Sequence, residues 1–213
     1  MINLYYKGER KSSSFFLPLL RKVVQYPFPK PLNCACLDKD NFWYESRIGS
    51  FTSKRFLEYI DDTTFQQIWV DNAASKRLNL YISQKKGTIG LGFNNIRCFI
   101  SLHQVKNLFM DLIACESSCY EATCSPDISA ILGRNFTSSQ RQTKMILGWL
   151  EYLSKDAVES RGGFAVFESN PYLQTERLHG GLLVQIGEHP DVFATPEGEA
   201  LLLNAINALP LVK

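Results

Sequence analysis

Between Arg77 and Phe93 apolar residues alternate with polar or small ones: Leu80 and Ile82, then Ile89, Leu91 and Phe93, with Gln84-Lys85-Lys86-Gly87 between the two groups. A period of two sends successive side chains to opposite faces of a strand, so this tract predicts a hairpin with one buried face. Phe65–Val70, just upstream, extends it to a three-strand meander. A sheet with one apolar face must be covered, and helix-period runs supply the cover. Phe16, Leu19, Leu20, Val23 and Val24 predict a helix from about Ser12–Ser14 to Tyr26, with Pro18 near its first turn. Phe56, Leu57 and Ile60 predict a second helix within Phe51–Ile60, capped by Thr52 or Ser53. Val105, Leu108, Phe109, Leu112 and Ile113 predict a third over His103–Glu116.

The last third repeats the theme. Strands are expected at 145–153, 164–168 and 181–186, then a helix over Pro196–Ala208. Thr195 is its expected N-cap, Pro196 its first residue, and Glu197 and Glu199 suit the positive helix end. Tyr26–Pro31 reads as an extended connector, and Ser117–Ser139 as a strand with long connections. The whole predicts an α+β fold, antiparallel sheet covered by helices, as a single domain over 1–213. Two sub-halves, about 1–116 and 117–213, each supply strands and end in a helix.

Composition narrows the functional classes. Hydrophobic residues at 45% and charged residues at 21% are those of a chain with a sizeable core. A net charge of +2 does not call for nucleic acid, and it excludes a protein that imitates DNA with an acidic surface. No apolar run approaches the ~20 residues that span a bilayer, so no membrane partner is expected. Lys7, Glu9, Arg10 and Lys11 break up the N-terminal segment before a signal peptide could form. The expected location is cytoplasmic, where Cys34, Cys36, Cys98, Cys115, Cys119 and Cys124 stay reduced and the sequon Asn135-Phe136-Thr137 is a chance match.

Reactive constellations do not emerge. His103, His179 and His189 are never spaced as HxH, HxxxH or HExxH, and the cysteines do not form paired zinc knuckles. A G-x-S-x-G elbow is missing, and Gly87–Gly92 lacks the order and following helix of a dinucleotide loop. Gly90-Leu91-Gly92-Phe93 matches the carboxylate-binding loop of PDZ domains, which would make an edge strand for peptide docking, against the plainer reading of a glycine-bearing strand. Acids are scattered, and dipeptides such as Lys54-Arg55, Lys76-Arg77 and Lys85-Lys86 form no basic aromatic strip. No catalytic, cofactor-binding or metal residue is expected from the sequence.

Two tracts carry a family likeness: Tyr5-Tyr6-Lys7-Gly8-Glu9-Arg10-Lys11-Ser12, and Gly148-Trp149-Leu150-Glu151-Tyr152-Leu153 within the apolar run Met145–Ser154. With the central meander and the helix after it, they resemble the bacterial immunity protein 52 family, antidotes of polymorphic toxins that include type VI secretion effectors. The resemblance implies a non-enzymatic protein binding a cognate toxin, often a restriction-endonuclease-like nuclease, one to one, with no cofactor. It leaves a homodimer open. Partner contacts are expected in the polar connections: Asp38, Asp40, Phe42, Trp43, Tyr44 and Glu45 in one, Glu116, Tyr120 and Glu121 in another. Core packing competes for Trp43 and Tyr44, and more strongly for Trp149 and Tyr152. Two alternatives stand beside this reading: a hydrolase built from dispersed acids such as Asp38 or Glu151, and a peptide-binding adaptor at Gly90–Phe93.

Overall fold

Alternation and helical spacing resolve into an α+β fold whose strands pair antiparallel. The computed structural model describes residues 1–7, 11–27, 33–71, 79–85, 88–94 and 100–211. The chain divides into two compact units, Met1–Cys119 and Tyr120–Lys213.

In chain order the first unit contains β1 (Ile2–Lys7), α1 (Ser13–Val23), β2 (Asn33–Asp38), β3 (Trp43–Arg47), α2 (Lys54–Asp61), β4 (Phe65–Asp71), β5 (Asn79–Lys85), β6 (Thr88–Asn94) and α3 (Leu102–Cys115). Its strands lie in the order β3-β2-β4-β5-β6-β1. One sheet face is apolar: Ile2 and Leu4 from β1, Cys34 and Cys36 from β2, Ile68 and Val70 from β4, Leu80 and Ile82 from β5 are all buried. The helices bring matching stripes, among them Phe16, Leu20, Phe56, Ile60, Leu108 and Phe109, each fully buried. α1 packs on α2 and α3, and α2 packs on β4.

Helix starts follow local chemistry. Ser53 Oγ accepts from the Phe56 N–H at 3.3 Å, and Ser101 with Gln104 forms a capping box at the head of α3. α1 is capped from a distance instead: the Asp61 carboxylate accepts from the Ser13 N–H at 2.7 Å and from its hydroxyl at 2.6 Å. Pro18 lies inside α1, beyond the first turn where it was expected, and the helix stops at Val23 rather than Tyr26. The expected connector Tyr26–Pro31 falls outside the described residues from position 28 onward, as do Lys76-Arg77, Lys86, Gly87, Cys98 and the centre of the YYKGERKS tract.

The second unit holds most of β7 (Cys119–Cys124), then α4 (Ser129–Asn135), α5 (Ser138–Thr143), β8 (Leu150–Leu153), α6 (Lys155–Glu159), α7 (Phe164–Glu168), β9 (Gln174–Leu178), β10 (Gly181–Gln185), a 3-10 turn at Pro190–Ala194 and α8 (Pro196–Asn207). Its ladder runs β7-β8-β10-β9. The α8 start is as expected: Thr195 Oγ1 accepts from the Gly198 N–H at 3.1 Å, with Pro196 first and Glu197 and Glu199 following. Gly198 sits against the Val192 carbonyl, leaving no space for a Cβ.

Several expectations are corrected. The stretch 164–168 is helix α7 rather than a strand, because a short apolar run has the same signature in both. Here Gly162 and Gly163, at φ 102° and 88°, turn the chain directly from α6 into a new helix start. The strand expected at 145–153 joins the ladder only at 150–153. Ser117–Ser139 contains α4 and the start of α5 besides its strand. Asp38–Glu45 is a hairpin rather than a connection, since β2 ends at Asp38 and β3 begins at Trp43. β9 was not foreseen: its QTERL sequence is polar on both faces and lies at the end of the ladder. Among the described residues no helix is long and apolar enough to cross a membrane.

Candidate functional site

The β2–β3 hairpin gathers most of the residues singled out in the sequence. Asp38, itself buried, organises the turn: its Oδ1 accepts from the Asp40 and Phe42 N–H groups, both at 2.9 Å. The Asp38 N–H donates to the Phe42 carbonyl at 3.1 Å, and the Asn41 N–H donates to the Asp38 carbonyl at 3.2 Å. Asn41 takes the left-handed conformation the turn needs, φ 64°, which asparagine tolerates better than most residues. Asp38 is therefore a turn builder rather than a surface contact, while Asp40 lies exposed in the turn.

That turn holds three aromatic side chains out of the core. Phe42 is 65% exposed, Trp43 55% and Tyr44 51%. The core-packing alternative for Trp43 and Tyr44 thus gives way to exposure. Tyr44 rests its ring edge on Phe65, with centroids 5.6 Å apart, and Phe65 is backed by Tyr59 at 5.9 Å. The Asp38 carboxylate beside it pushes the Tyr44 phenol above its ordinary range, with a smaller contribution from burial. Glu45 is exposed next in line.

Register extends the surface beyond the hairpin. Trp43 lies opposite Leu37, Ala35 opposite Trp69, and Trp69 opposite Tyr81. Trp43, Trp69 and Tyr81 therefore share one sheet face, the one opposite the helix-covered core. Trp69 and Tyr81 stack with centroids 5.3 Å apart. The Tyr81 hydroxyl reaches over Gly92 and donates to Asn3 Oδ1 at 2.6 Å, and a Cβ at Gly92 would collide with the ring. Burial and neighbouring Tyr5 push the Tyr81 phenol up to about 12. Trp69 and Tyr81 were missed in the sequence. Their signal was the alternation itself, since each sits between buried aliphatics at Ile68 and Val70 or Leu80 and Ile82.

The other expected contacts are scattered. Glu116 caps the end of α3 and accepts from the Ser118 N–H at 3.0 Å. In the second unit the Tyr120 carbonyl accepts from the Ser154 N–H at 2.9 Å, and Glu121 is held by Arg161 at 2.7 Å. The structure thus unites Asp38, Asp40, Phe42, Trp43, Tyr44 and Glu45 on one hairpin and places Glu116, Tyr120 and Glu121 away from it along the chain, at the end of α3 and in β7.

Glu151, the acid of the GWLEYL tract, lies on β8 opposite Thr123 of β7 and Val184 of β10. It is buried, and its Oε1 accepts from the Gly148 N–H at 2.6 Å. Desolvation pushes its carboxyl up to about 8, against the pull of the Thr123 hydroxyl and the Gly148 N–H. Trp149 and Tyr152 are each 3% exposed, as the core-packing reading requires. The acids named for a hydrolase, Asp38 and Glu151, each accept from backbone N–H groups through one carboxyl oxygen. Gly90–Phe93 lies in β6, which is paired on one side with β1 and on the other with β5, so it offers no edge to a peptide. Cys34 and Cys36 share the buried face, and Cys36 hydrogen-bonding lowers the Cys34 thiol while Cys36 itself is raised. No group of three or more His, Cys, Asp and Glu side chains able to hold a metal ion occurs among the described residues. Comparison with family models, curated proteins and solved structures returned no match to the chain.

Proposed function

We propose that this protein is an immunity protein of the polymorphic-toxin class, binding a cognate antibacterial toxin one to one and blocking it. The toxin class suggested by the resemblance is a nuclease delivered by type VI secretion, met in the cytoplasm. Inhibition proceeds by covering or distorting the toxin beside its active site, since a net charge of +2 is unsuited to imitation of DNA. The observation that carries the reading is the run Phe42-Trp43-Tyr44, each side chain at least half exposed on a hairpin whose turn is tied by a buried aspartate. Aromatic anchors dominate the energetics of protein interfaces, and anchors already fixed in place lose little entropy on binding. The YYKGERKS and GWLEYL tracts supply the family likeness behind the choice of partner.

Co-expression with the toxin encoded beside this chain tests the proposal. Cells are expected to survive, and the two proteins to co-elute in size-exclusion chromatography. Killing of cells that make folded protein, with no complex on the column, would sink it.

A further inference from the structure

β3 ends the strand order of the first unit, so among the described residues one of its edges lacks a strand neighbour in that unit's ladder. The groups facing that edge follow from the hairpin bonds. Directly opposed residues in an antiparallel ladder alternate between bonded and non-bonded pairs. The Asp38 N–H donates to the Phe42 carbonyl across the hairpin, so Cys36–Tyr44 and Cys34–Ser46, two and four residues further along, are the bonded pairs in this register. The N–H and C=O groups of Trp43, Glu45 and Arg47 therefore point away from β2. Glu45 and Arg47 are exposed on the same face and have no ion pair among the described residues. Between them the Ser46 hydroxyl is buried without a hydrogen-bond partner among the described residues.

We propose that β3 pairs antiparallel with β3 of a second copy of this chain, about a two-fold axis passing beside Ser46. Glu45 then lies opposite Arg47 of the second copy, and Arg47 opposite its Glu45, each pair exchanging backbone N–H···O bonds through the outward-facing groups. Ser46 lies opposite Ser46 at the axis, a pair without charge. The neighbouring register, centred on Glu45, would oppose two carboxylates, and like charges directly opposite destabilise a ladder. A symmetric, self-complementary contact is the form a homodimer takes. Strand pairing leaves side chains standing off both faces, so Trp43 and Trp69 of each copy would extend one aromatic face. The pairing goes beyond toxin binding and does not depend on it.

Sedimentation equilibrium of the full chain tests the pairing without any toxin present, with circular dichroism reporting the fold of each variant. Wild type is expected to form a concentration-dependent dimer. Glu45→Arg and Arg47→Glu should each weaken it about tenfold, equivalent to ~1.4 kcal/mol, because each places like charges opposite one another. The double swap Glu45→Arg/Arg47→Glu should restore the dimer, and Glu45→Gln should weaken it. A wild type that stays monomeric at roughly millimolar concentration, where even weak pairing is populated, overturns the proposal. So does a double swap that fails to restore association, or a Glu45→Gln variant that dimerises more tightly, as opposed glutamates would require.

Discussion

Two aromatic tracts of this chain have nearly the same chemistry and opposite fates. Phe42-Trp43-Tyr44-Glu45 runs into strand β3 and leaves its rings in solvent, whereas Trp149-Leu150-Glu151-Tyr152 runs into β8 and is buried throughout. The difference lies in the neighbours rather than in the residues. β8 has a strand on each side, β7 and β10, and its acid finds a backbone N–H and a hydroxyl inside the fold. Among the described residues of its unit β3 has β2 on one side only, and Asp38 rather than the core fixes where its aromatics stand. The buried tract names a scaffold. The exposed one is available to a partner.

The largest test of that contrast is truncation. Trp149→Ala should cost about 3–5 kcal/mol by denaturant unfolding, as for other buried large aromatics, whereas Trp43→Ala should change stability by less than ~0.5 kcal/mol. Equal losses at the two positions would erase the distinction.

Glu151 gives the next largest effect, read through pH. Its carboxyl titrates near 8 in the folded chain against an ordinary value of 4.5. A raised carboxyl favours the protonated form, so its contribution is fully present below the ordinary value. As pH climbs from about 4.5 toward 8 the unfolded chain gives up the proton first, and stability falls by up to about 1.4 kcal/mol per pH unit, levelling off above the folded value. Glu151→Gln should flatten that slope and be the more stable protein at pH 8, as measured by urea unfolding across the range. A slope unchanged in the variant would assign it to other groups.

Asp38→Ala is expected to cost about 1–2 kcal/mol, since two turn N–H groups lose their acceptor, and Asp38→Asn should recover most of it. The same variant should loosen the hairpin, seen as faster amide exchange at Asp40 and Phe42. The smallest structural effect should carry the clearest functional one. Trp43→Ala, near neutral for folding, should weaken toxin capture by at least about tenfold, the loss of a modest interface anchor. Titration calorimetry with the co-expressed toxin measures it, and unchanged affinity would remove Trp43 from the contact.

Legibility followed periodicity. The meander was readable because Leu80 and Ile82 alternate with outward-facing residues, and α3 because Val105, Leu108, Phe109 and Leu112 recur along one helix stripe. Thr195 announced α8 through its cap and the following proline. Where the pattern was short it failed. Phe164–Glu168 is too brief to separate a helix turn from a strand, and the turn made by Gly162 and Gly163 shows only in their left-handed backbone. β3 was hidden because a strand at the end of a ladder need not alternate cleanly, and WYESR is largely exposed on both faces; β2 was hidden because Cys34, Ala35, Cys36 and Leu37 form a short run with no polar residue to mark the alternation. Of the candidate site, Phe42, Trp43 and Tyr44 were expected as contacts in the polar stretch Asp38–Glu45, but Trp69 and Tyr81 joined them only through register.

Hydrophobic period and capping residues act over a few positions, so an α+β chain with antiparallel strands was legible from the residues alone. The sequence also settled that Trp149 and Tyr152 lie among aliphatics dense enough to demand burial. That β3 ends the ladder of its unit, that Asp38 serves the turn, and that Trp43, Trp69 and Tyr81 fall on one face emerged with the assembled sheet. Those outcomes depend on pairings between residues far apart in the chain, and a strand's own residues do not specify which neighbours it will have, or whether it will have one on each side.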